Sequence, residues 1–546
     1  MIARIIRSSS TAPLLTVLLV LAGSAIGATW LQDLRRDVFP DLSAPVFNVI
    51  AQNAAMGAEE LETAIAIPLE VELAGLPNVR RVRSNSQLGV AQVTIEFEPN
   101  ADYYRSRQFV AERVAQAAGQ LPPGTEPPLI SSLTGRLNEI FEFTLEADEG
   151  AADLMALRDL AEFEIKNRLL AVPGVSAVER LGGYLRQFQI QLDPDRLAAR
   201  KISLDEVLHA VEESNLNASG GIVAQGAIEW TVRAVGRATT VDDLRRTVVV
   251  VRGGVPVLLG DVADVVEAAA VRRGVAHRLK GEVVSARVTK QFGSDTVEVA
   301  AGIRAAVEDI RRSLPEGVQL RIVYDQSVLV NGALGGVGRA VMLGGVFVVL
   351  VILFLLGNVR AALLVTLTIP LSIALAGLLL KPLDVGLNTM TLGGLAIAVG
   401  LLVDAAIIMV ENILHRLAGA ATKTERQSRA VAAAIEVARP IVFATLIVIV
   451  VFLPLFGMSG IEGRMYQPLA AAVIAAMAAA LLLAVTLVPV AAGAILRAPA
   501  SGHDEDVALL RLIKRAYAPI LDRCLRRPGN VALLTLLLGA PGVGLA

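Results

Sequence analysis

Apolar residues are gathered into seven long runs, and one long polar stretch interrupts them. The runs cover residues 11–31, 339–357, 361–380, 388–413, 438–457, 468–495 and 530–546. A helix needs about 20 apolar residues to cross the hydrocarbon core of a bilayer, so each run predicts a membrane span. About 300 residues of soluble composition separate the first run from the second. The pattern predicts an α+β membrane protein in which a bundle of transmembrane helices carries one large domain outside the bilayer.

Basic residues give these predicted spans an orientation. Arg4 and Arg7 precede the first run, whose apolar core of about 20 residues exceeds the roughly 7–15 of a signal peptide, so we predict an uncleaved anchor. Lys and Arg are also concentrated at residues 416–439 and 497–527, after the fourth and sixth runs. Because cytoplasmic loops carry an excess of basic residues, these loops are predicted to lie inside and the 300-residue domain outside.

The outer domain shows an internal repeat of helical and strand-like patterns. GLPNVRRVRS at residues 75–84 is followed by AVPGVSAVER at residues 171–180, and LPPGTEPP at 121–128 is echoed by LPEG at 314–317. The first two phrases each follow a helical pattern and lead into a strand pair, which predicts repeated ferredoxin-like β-α-β-β units. Residues 182–271 break the repeat and, being rich in Gly, Val and short strand patterns, predict an inserted β-rich subdomain.

A basic segment follows the sixth run. Val507, Leu510, Ile513 and Tyr517 recur in it at helical spacing, which predicts an amphipathic helix. Two interpretations of this helix stay open. It lies on the inner membrane surface, or it is a cytoplasmic linker.

Composition narrows the function. Of the 546 residues, 54% are hydrophobic and 19% are charged, and the net charge of -2 gives no indication of a nucleic-acid partner. Cys524 is the single cysteine, so no intrachain disulfide can form. No Gly-Lys dipeptide occurs, which excludes a P-loop and ATP-driven transport through that motif. No cofactor is expected, and because the outer domain shows no nucleophile–base pair we do not expect an enzyme.

Asp404 is the first candidate functional residue. It lies about 16 residues, or about 24 Å, into the fourth run, which is otherwise uncharged as far as Glu411. An ionised carboxylate near the bilayer centre costs roughly 2.5–3.5 kcal/mol on insertion scales, so carboxylates are rare there without a task. We predict that Asp404 relays protons; the alternative is an Asp that only packs. Glu411 lies two turns further on the same face, and is predicted either as a second proton station or as an interfacial carboxylate paired with Arg416.

The sequence does not locate a metal site. Soft metals prefer clustered Met, Cys or His ligands. The outer domain offers only Met56, Met155, His209 and His277, which are far apart along the chain. The metal ligands are therefore left unknown.

Several long phrases resemble those of the resistance-nodulation-cell division (RND) efflux transporters, and most of all their heavy-metal branch. These are FPDLSAP (39–45), LAGLPNVRRVRSNSQLGVAQVTIEF (73–97), GNVRAALLVTLTIPLS (357–372), the fourth run and FLPLFGMSGIEGRMYQPLA (452–470). The resemblance covers essentially the whole chain. It implies a bacterial inner-membrane permease with a large periplasmic porter domain of ferredoxin-like subdomains and an inserted docking subdomain. It further implies a homotrimer that works with a periplasmic adaptor protein and an outer-membrane channel, and exports heavy-metal cations in exchange for protons.

The same resemblance assigns the coupling carboxylate of the fourth span to Asp404. Drug exporters of the family usually carry two adjacent aspartates there, whereas Asp404 is followed by Ala405, as in copper and silver pumps. Pumps for cobalt, zinc and cadmium tend to carry a further Asp at the position of Ala398. Family members have two similar halves, and this chain resembles the first half and the start of a seventh span. The cation that answers Asp404 belongs, by resemblance, to the second half, so we expect that this chain alone does not pump.

These patterns together predict an order of segments along the chain. It runs from a first transmembrane helix (1–38) to a first porter subdomain (39–132), the first part of a second porter subdomain (133–181), a docking subdomain (182–271), the second part of the second porter subdomain (272–332), transmembrane helices 2–6 (333–497), a cytoplasmic amphipathic segment (498–529) and the start of transmembrane helix 7 (530–546).

Other functions stay open beside heavy-metal efflux. One is an RND exporter of drugs or organic solutes, and another is a membrane-anchored assembly or secretion factor on the same scaffold. The docking-type insertion at residues 182–271 favours an efflux complex over the second of these. A fragment, a split subunit and a degenerate, non-functional product are all compatible with the way the chain ends.

Overall fold

Long helices form where the sequence shows long apolar runs, and sheets with covering helices form between the first two runs. The computed structural model describes residues 1–40, 44–99, 101–130, 138–226, 228–272, 274–279, 281–356, 358–417, 422–496, 508–529 and 531. The chain divides into two units. One comprises Met1–Leu137, Phe292–Glu298 and Gln326–Ala546, and the other comprises Asn138–Gln291 and Val299–Asp325.

The helices, in chain order, are α1 (Ile2–Thr11), α2 (Pro13–Gln32), α3 (Ala58–Leu61), α4 (Ile67–Ala74), α5 (Tyr103–Ala118), α6 (Leu154–Asp159), α7 (Lys166–Leu170), α8 (Pro194–Arg200), α9 (Leu204–Ser214), α10 (Val241–Arg245), α11 (Leu259–Val262), α12 (Thr296–Ser313), α13 (Gln326–Leu356), α14 (Val359–Leu380), α15 (Thr389–Arg416), α16 (Lys423–Phe452), α17 (Gly460–Val485), α18 (Leu487–Ile495) and α19 (Ala508–Arg526). Short π-helical segments join α3 to α4 (Glu62–Ala66) and α6 to α7 (Leu160–Ile165), and a 3-10 turn (Leu453–Gly457) extends α16.

The strands are β1 (Val46–Gln52), β2 (Val79–Gln87), β3 (Val90–Phe97), β4 (Leu129–Ile130), β5 (Glu139–Ala147), β6 (Val175–Leu181), β7 (Arg186–Leu192), β8 (Ala218–Gln225), β9 (Ile228–Ala234), β10 (Val248–Arg252), β11 (Val255–Leu258), β12 (Ala263–Ala269), β13 (Ala276–Arg278), β14 (Gly281–Lys290) and β15 (Val318–Asp325).

Six helices in the described residues are long and apolar enough to cross a membrane: α2, α13, α14, α15, α16 with its 3-10 turn, and α17. They correspond to the first six apolar runs. The second of these six helices, α13, begins at Gln326, whereas the second apolar run predicted a start at residue 339. The sixth run is broken at Thr486, because Pro489 has no amide hydrogen to donate to the carbonyl group one turn earlier. The seventh run and residues 498–507 lie outside the described residues, apart from Val531.

A separate helix, α1, precedes the first span and was not predicted. Pro13 begins α2 and so separates the two helices, since proline is favoured in a first turn. Ile6 on α1 is fully buried in the core formed by α14, α15, α16 and α18. The α1 segment is therefore a packed part of the bundle.

Glycine allows α2 and α14 to touch backbone to backbone. A Cβ atom added to Gly27 would lie 2.0 Å from the carbonyl oxygen of Ala374, and one added to Gly377 would lie 2.2 Å from the carbonyl oxygen of Gly27. Gly23 lies one turn before Gly27 and also faces α14. Small residues spaced by four let membrane helices approach closely, and van der Waals packing then holds them together.

In the first unit, α3–α5 cover a four-stranded sheet of order β2-β3-β1-β4. The strands β1 and β3 are antiparallel, with Val49 opposite Val93, and their side chains are alternately buried and half-buried. The ring of Tyr103 stacks on Phe47 at 5.1 Å and on Phe292 at 4.7 Å. The alternation of buried and half-buried side chains along β1 and β3 is what a sheet with a single packed face requires.

In the second unit, the main sheet has the order β13-β14-β5-β15, with β6 also paired to β14. Its core includes Phe141, Phe143 and Leu169, packed against Ile303 and Val307 of α12. The segment 182–271 contains strands β7–β12, arranged in pairs, and helices α8–α11. One of the pairs is the hairpin β8–β9.

We expect Gly27→Ala to weaken the packing of α2 against α14. The added methyl group has no room, and overpacking costs about 1–3 kcal/mol. Gly344→Ala is the matched control, since a Cβ atom there meets nothing within 4 Å. Thermal unfolding of the detergent-purified chain measures both, and equal midpoints for the two variants would contradict the close contact.

Candidate functional site

Helix α15 carries both candidate carboxylates, and its start is fixed by a capping box. The side chain of Asn388 accepts hydrogen bonds from the amides of Met390 and Thr391, and the Thr391 hydroxyl accepts one from the Asn388 amide. A polar residue followed three positions later by an acceptor is the sequence signal for this cap. Asp404 lies near the middle of α15, about 22 Å along the helix axis from its first residue, Thr389.

A short extended segment, residues 35–38, holds the start of α15. We call it the strap. The amide of Leu387 donates to the Arg35 carbonyl at 2.7 Å, and both the amide and the hydroxyl of Thr389 donate to the Val38 carbonyl. The Asp37 amide donates back to Leu387. These bonds fix the axial position of α15 relative to the end of α2.

The strap is bonded on its other side to the start of α12. The amide of Thr296 donates to the Arg36 carbonyl, and the Arg36 side chain and amide both bond to Asp295 at 2.9–3.0 Å. The Thr296 hydroxyl donates to Asp37. Asp295 also accepts a bond from the Glu298 amide, so it acts at the same time as a cap of α12. One backbone segment therefore joins the first turns of α12 and α15.

One face of α15 has no packing partner within the described residues. Its members recur every three or four residues, and we call this face the exposed stripe: Ile397, Gly400, Asp404, Ile408 and Glu411. The opposite face is buried against neighbouring helices, as Ala406 and Met409 show.

Both candidate carboxylates lie on the exposed stripe, as the spacing of seven residues predicted. In the described part of the chain, no side chain forms a hydrogen bond or ion pair with Asp404 or Glu411. Arg416, the partner considered for Glu411, instead bonds Glu436 of α16 at 2.9 and 3.1 Å. Asn412 donates to the Ala433 carbonyl of α16 at 2.8 Å, which attaches α15 to its neighbour.

This arrangement leaves the carboxyl group of Asp404 open to a partner on an element that packs against the exposed stripe. Within the described residues, no three His, Cys, Asp or Glu side chains come together in a way that could hold a metal ion.

A second candidate surface is the β8–β9 hairpin. Within the described residues, its two strands pair only with each other, and residues 219–225 and 228–234 are exposed. Ile228, Trp230, Val232 and Val223 share one face, with Trp230 paired to Val223 and 58% exposed. The opposite face includes the more polar Thr231. Hydropathy alone could not identify this surface, because the same alternation is typical of a strand packed on a core.

Known proteins resemble the chain along nearly its whole length. The model of the AcrB/AcrD/AcrF family matches residues 4–543. The cobalt-zinc-cadmium resistance protein CzcA of Cupriavidus metallidurans is 33% identical over 96% of this chain and 50% of its own length. The cation efflux system protein CusA of Escherichia coli (strain K12) is 34% identical over 95% of this chain and 51% of its own length.

A solved structure agrees with these sequence matches. The X-ray crystal structure of a heavy metal efflux pump, crystal form I, superposes with a TM-score of 0.82 at 30% identity. The match covers 98% of this chain and 51% of that one. This chain therefore has the fold of these pumps, and it spans about half the length of the curated relatives it matches.

The two faces of α15 should respond differently to a bulky side chain. Ile408→Trp, on the exposed stripe, should change the free energy of unfolding of this chain by less than about 0.5 kcal/mol, as exposed substitutions do. Met409→Trp, at the neighbouring and fully buried position, should cost about 1–3 kcal/mol through overpacking. Chemical denaturation of the purified chain compares them, and equal losses would disprove the exposed stripe.

Proposed function

Since the chain belongs to the AcrB/AcrD/AcrF family, we propose that it supplies the N-terminal half of an RND permease in the bacterial inner membrane. This permease exports heavy-metal cations to the periplasmic side in exchange for protons. The observation that carries the proposal is Asp404, a carboxylate at mid-helix on the exposed stripe of a span. The relatives described as cation efflux and metal resistance proteins support the class of substrate.

The exposed stripe suits Asp404 to proton coupling. An ionised carboxylate is costly in hydrocarbon unless a cation or water meets it, whereas the protonated form is neutral. An element that packs on the exposed stripe and carries a Lys or Arg would bind the ionised carboxylate of Asp404. The same element would bind the protonated carboxyl group more weakly. Protonation would then bias α15 between two packing arrangements, which is the two-state element that coupling requires. We assign that element to the second half of the permease.

Glu411 is proposed as a second proton station. It lies two turns from Asp404, towards the end of α15 that carries His415 and Arg416. By the predicted orientation this is the cytoplasmic end. Because Arg416 bonds Glu436, Glu411 retains its acceptor atoms for a proton or for water. It would therefore connect Asp404 with the cytoplasm.

The strap supplies a route from proton binding to the polar part of the chain. A shift of α15 along its axis would strain the hydrogen bonds of Leu387 and Thr389 to residues 35–38. The same residues bond Thr296 and Asp295 at the start of α12. Either the strap bonds break or α12 moves with α15. We propose that α12 moves, since breaking several bonds together is the costlier result.

The β8–β9 hairpin supports assembly with further copies of this chain. A two-stranded hairpin is marginally stable in water at best, and this one exposes an apolar face with Trp230 at its centre. A second copy that covers this face would remove it from water. We propose a homotrimer that works with a periplasmic adaptor protein and an outer-membrane channel, with residues 182–271 as the docking subdomain.

In cells that produce the chain together with its second half, we expect Asp404→Asn to abolish metal resistance. The amide keeps the shape of the side chain but cannot ionise, so the proton cycle stops. Metal-driven proton movement in proteoliposomes should fall to background, while the amount of protein in the membrane stays unchanged. Glu411→Gln should have a smaller effect, and Glu60→Gln, at an exposed carboxylate on α3 away from the exposed stripe, is the control. Full export by the Asp404→Asn variant would refute the relay.

Trp230→Asp should convert the trimer into smaller species, because it places a charge in the covered apolar face. Thr231→Asp adds the same charge on the opposite face of the same strand and should leave the trimer intact. Light scattering after size-exclusion chromatography distinguishes the two. If both variants stay trimeric, the hairpin is not the assembly element.

A further inference from the structure

A cleft of about 600 Å³ opens between the sheet of the first unit and the start of α17. Its lining combines charged, polar and thioether side chains with open backbone: Arg80, Glu98, Pro99, Met458, Ser459, Gly460, Arg464 and Gln467. None of these residues belongs to the exposed stripe, to the strap or to the β8–β9 hairpin. The proposed permease function does not use the cleft.

The position of the cleft relative to the membrane follows from the two spans on either side of it in the sequence, α16 and α17. The span of α16 runs to Gly457, and the next span begins at Gly460. Residues 458–460, which line the cleft, therefore form the short connection between two helices that are long and apolar enough to cross a membrane. A connection of this kind belongs at the boundary of the bilayer, where phospholipid headgroups are found. The side-chain amide of Gln467 donates to the carbonyls of Phe456 and Met458, which holds this short connection in shape.

The charges in the cleft match a headgroup that carries both signs. Arg80 and Arg464 provide two guanidinium groups, and Glu98 provides one exposed carboxylate. Arg80 also pairs with Glu96, at 3.4 Å and with both side chains partly exposed, which is a weak pair that leaves further donors of Arg80 available. Arginine forks bind phosphate oxygens with good geometry.

Apolar side chains are exposed beside the cleft on the same connection and on the first turns of α17. They are Leu453, Phe456, Ile461 and Tyr466. Aromatic residues at this level are typical of the membrane interface. A ligand bound in the cleft would therefore meet charged groups at one end and apolar surface at the other, which is the pattern of an amphiphile.

We propose that the cleft binds a phosphatidylethanolamine molecule of the outer leaflet. Its phosphodiester bonds to Arg80 and Arg464, its ammonium group donates to Glu98, and its acyl chains lie along the apolar side chains of α16 and α17. Phosphatidylcholine carries the same charges but no ammonium hydrogen atoms, so it cannot donate to Glu98. The bound lipid joins the sheet of the first unit to the membrane surface at this edge.

Native mass spectrometry of the purified 546-residue chain tests the site, with lipids of identical acyl chains added to the detergent. The wild-type chain should retain phosphatidylethanolamine in preference to phosphatidylcholine. The double variant Arg80→Gln/Arg464→Gln should retain about tenfold less of the first lipid, because two charge-assisted contacts are lost. The variant Glu98→Gln should keep the binding of phosphatidylcholine and lose the preference between the two lipids.

The control double variant, Arg83→Gln/Arg360→Gln, removes the same charge from exposed positions that do not line the cleft. One is on strand β2 and the other is at the start of α14. Equal retention by both double variants overturns the site. Equal binding of the two lipids by the wild-type chain overturns the role of Glu98. Displacement of the lipid by millimolar free phosphoethanolamine shows a site for soluble phosphate esters and overturns the lipid as ligand.

Discussion

Inside hydrocarbon, every backbone amide and carbonyl group must find its partner within the protein, and this requirement governs how the chain is built. It makes the six spans continuous helices, and the irregular segments that join them lie between the helix ends. The ends of the helices are satisfied there by caps, such as Asn358 before α14 and Asn388 before α15. At the start of α15 the strap completes the same task, so that the helix carrying Asp404 begins in a fully bonded junction.

Asp404 stands out against that background because the described residues offer its side chain no partner. Charged residues such as Arg36, Asp295 and Lys381 lie at helix ends and have partners there. Asp404 lies at mid-helix, on a face that the described residues leave uncovered. The proposed relay follows from this difference. A carboxylate that was already paired within the first half would not respond to the approach of a second half. An unpaired carboxylate would become ionised in the membrane only when another element brings a cation to it.

Length and hydropathy predicted the spans, because those two properties alone decide whether a helix can cross a bilayer. They could not predict that α13 begins at Gln326, since Gln326, Asn331 and several glycines interrupt the apolar pattern of its first turns. The break at Thr486 could have been predicted from Pro489. Asp404 and Glu411 could be placed on one face from their spacing, but not on an exposed one. A membrane span is apolar all round, so the sequence does not mark which face is packed. The strap was beyond prediction because most of its bonds to α15 are made by backbone groups, which leave no pattern of residue types.

The contact between Gly27 and Gly377 gives α2 a structural role beyond that of an anchor in the membrane. A leader segment that serves only to hold a protein in the membrane can be exchanged for any other apolar segment of equal length. Here α2 meets α14 at backbone distance, and its far end continues directly into the strap. Expression strategies that replace α2 with a generic signal-anchor would therefore remove a helix that packs into the bundle and would loosen the junction from which α15 begins.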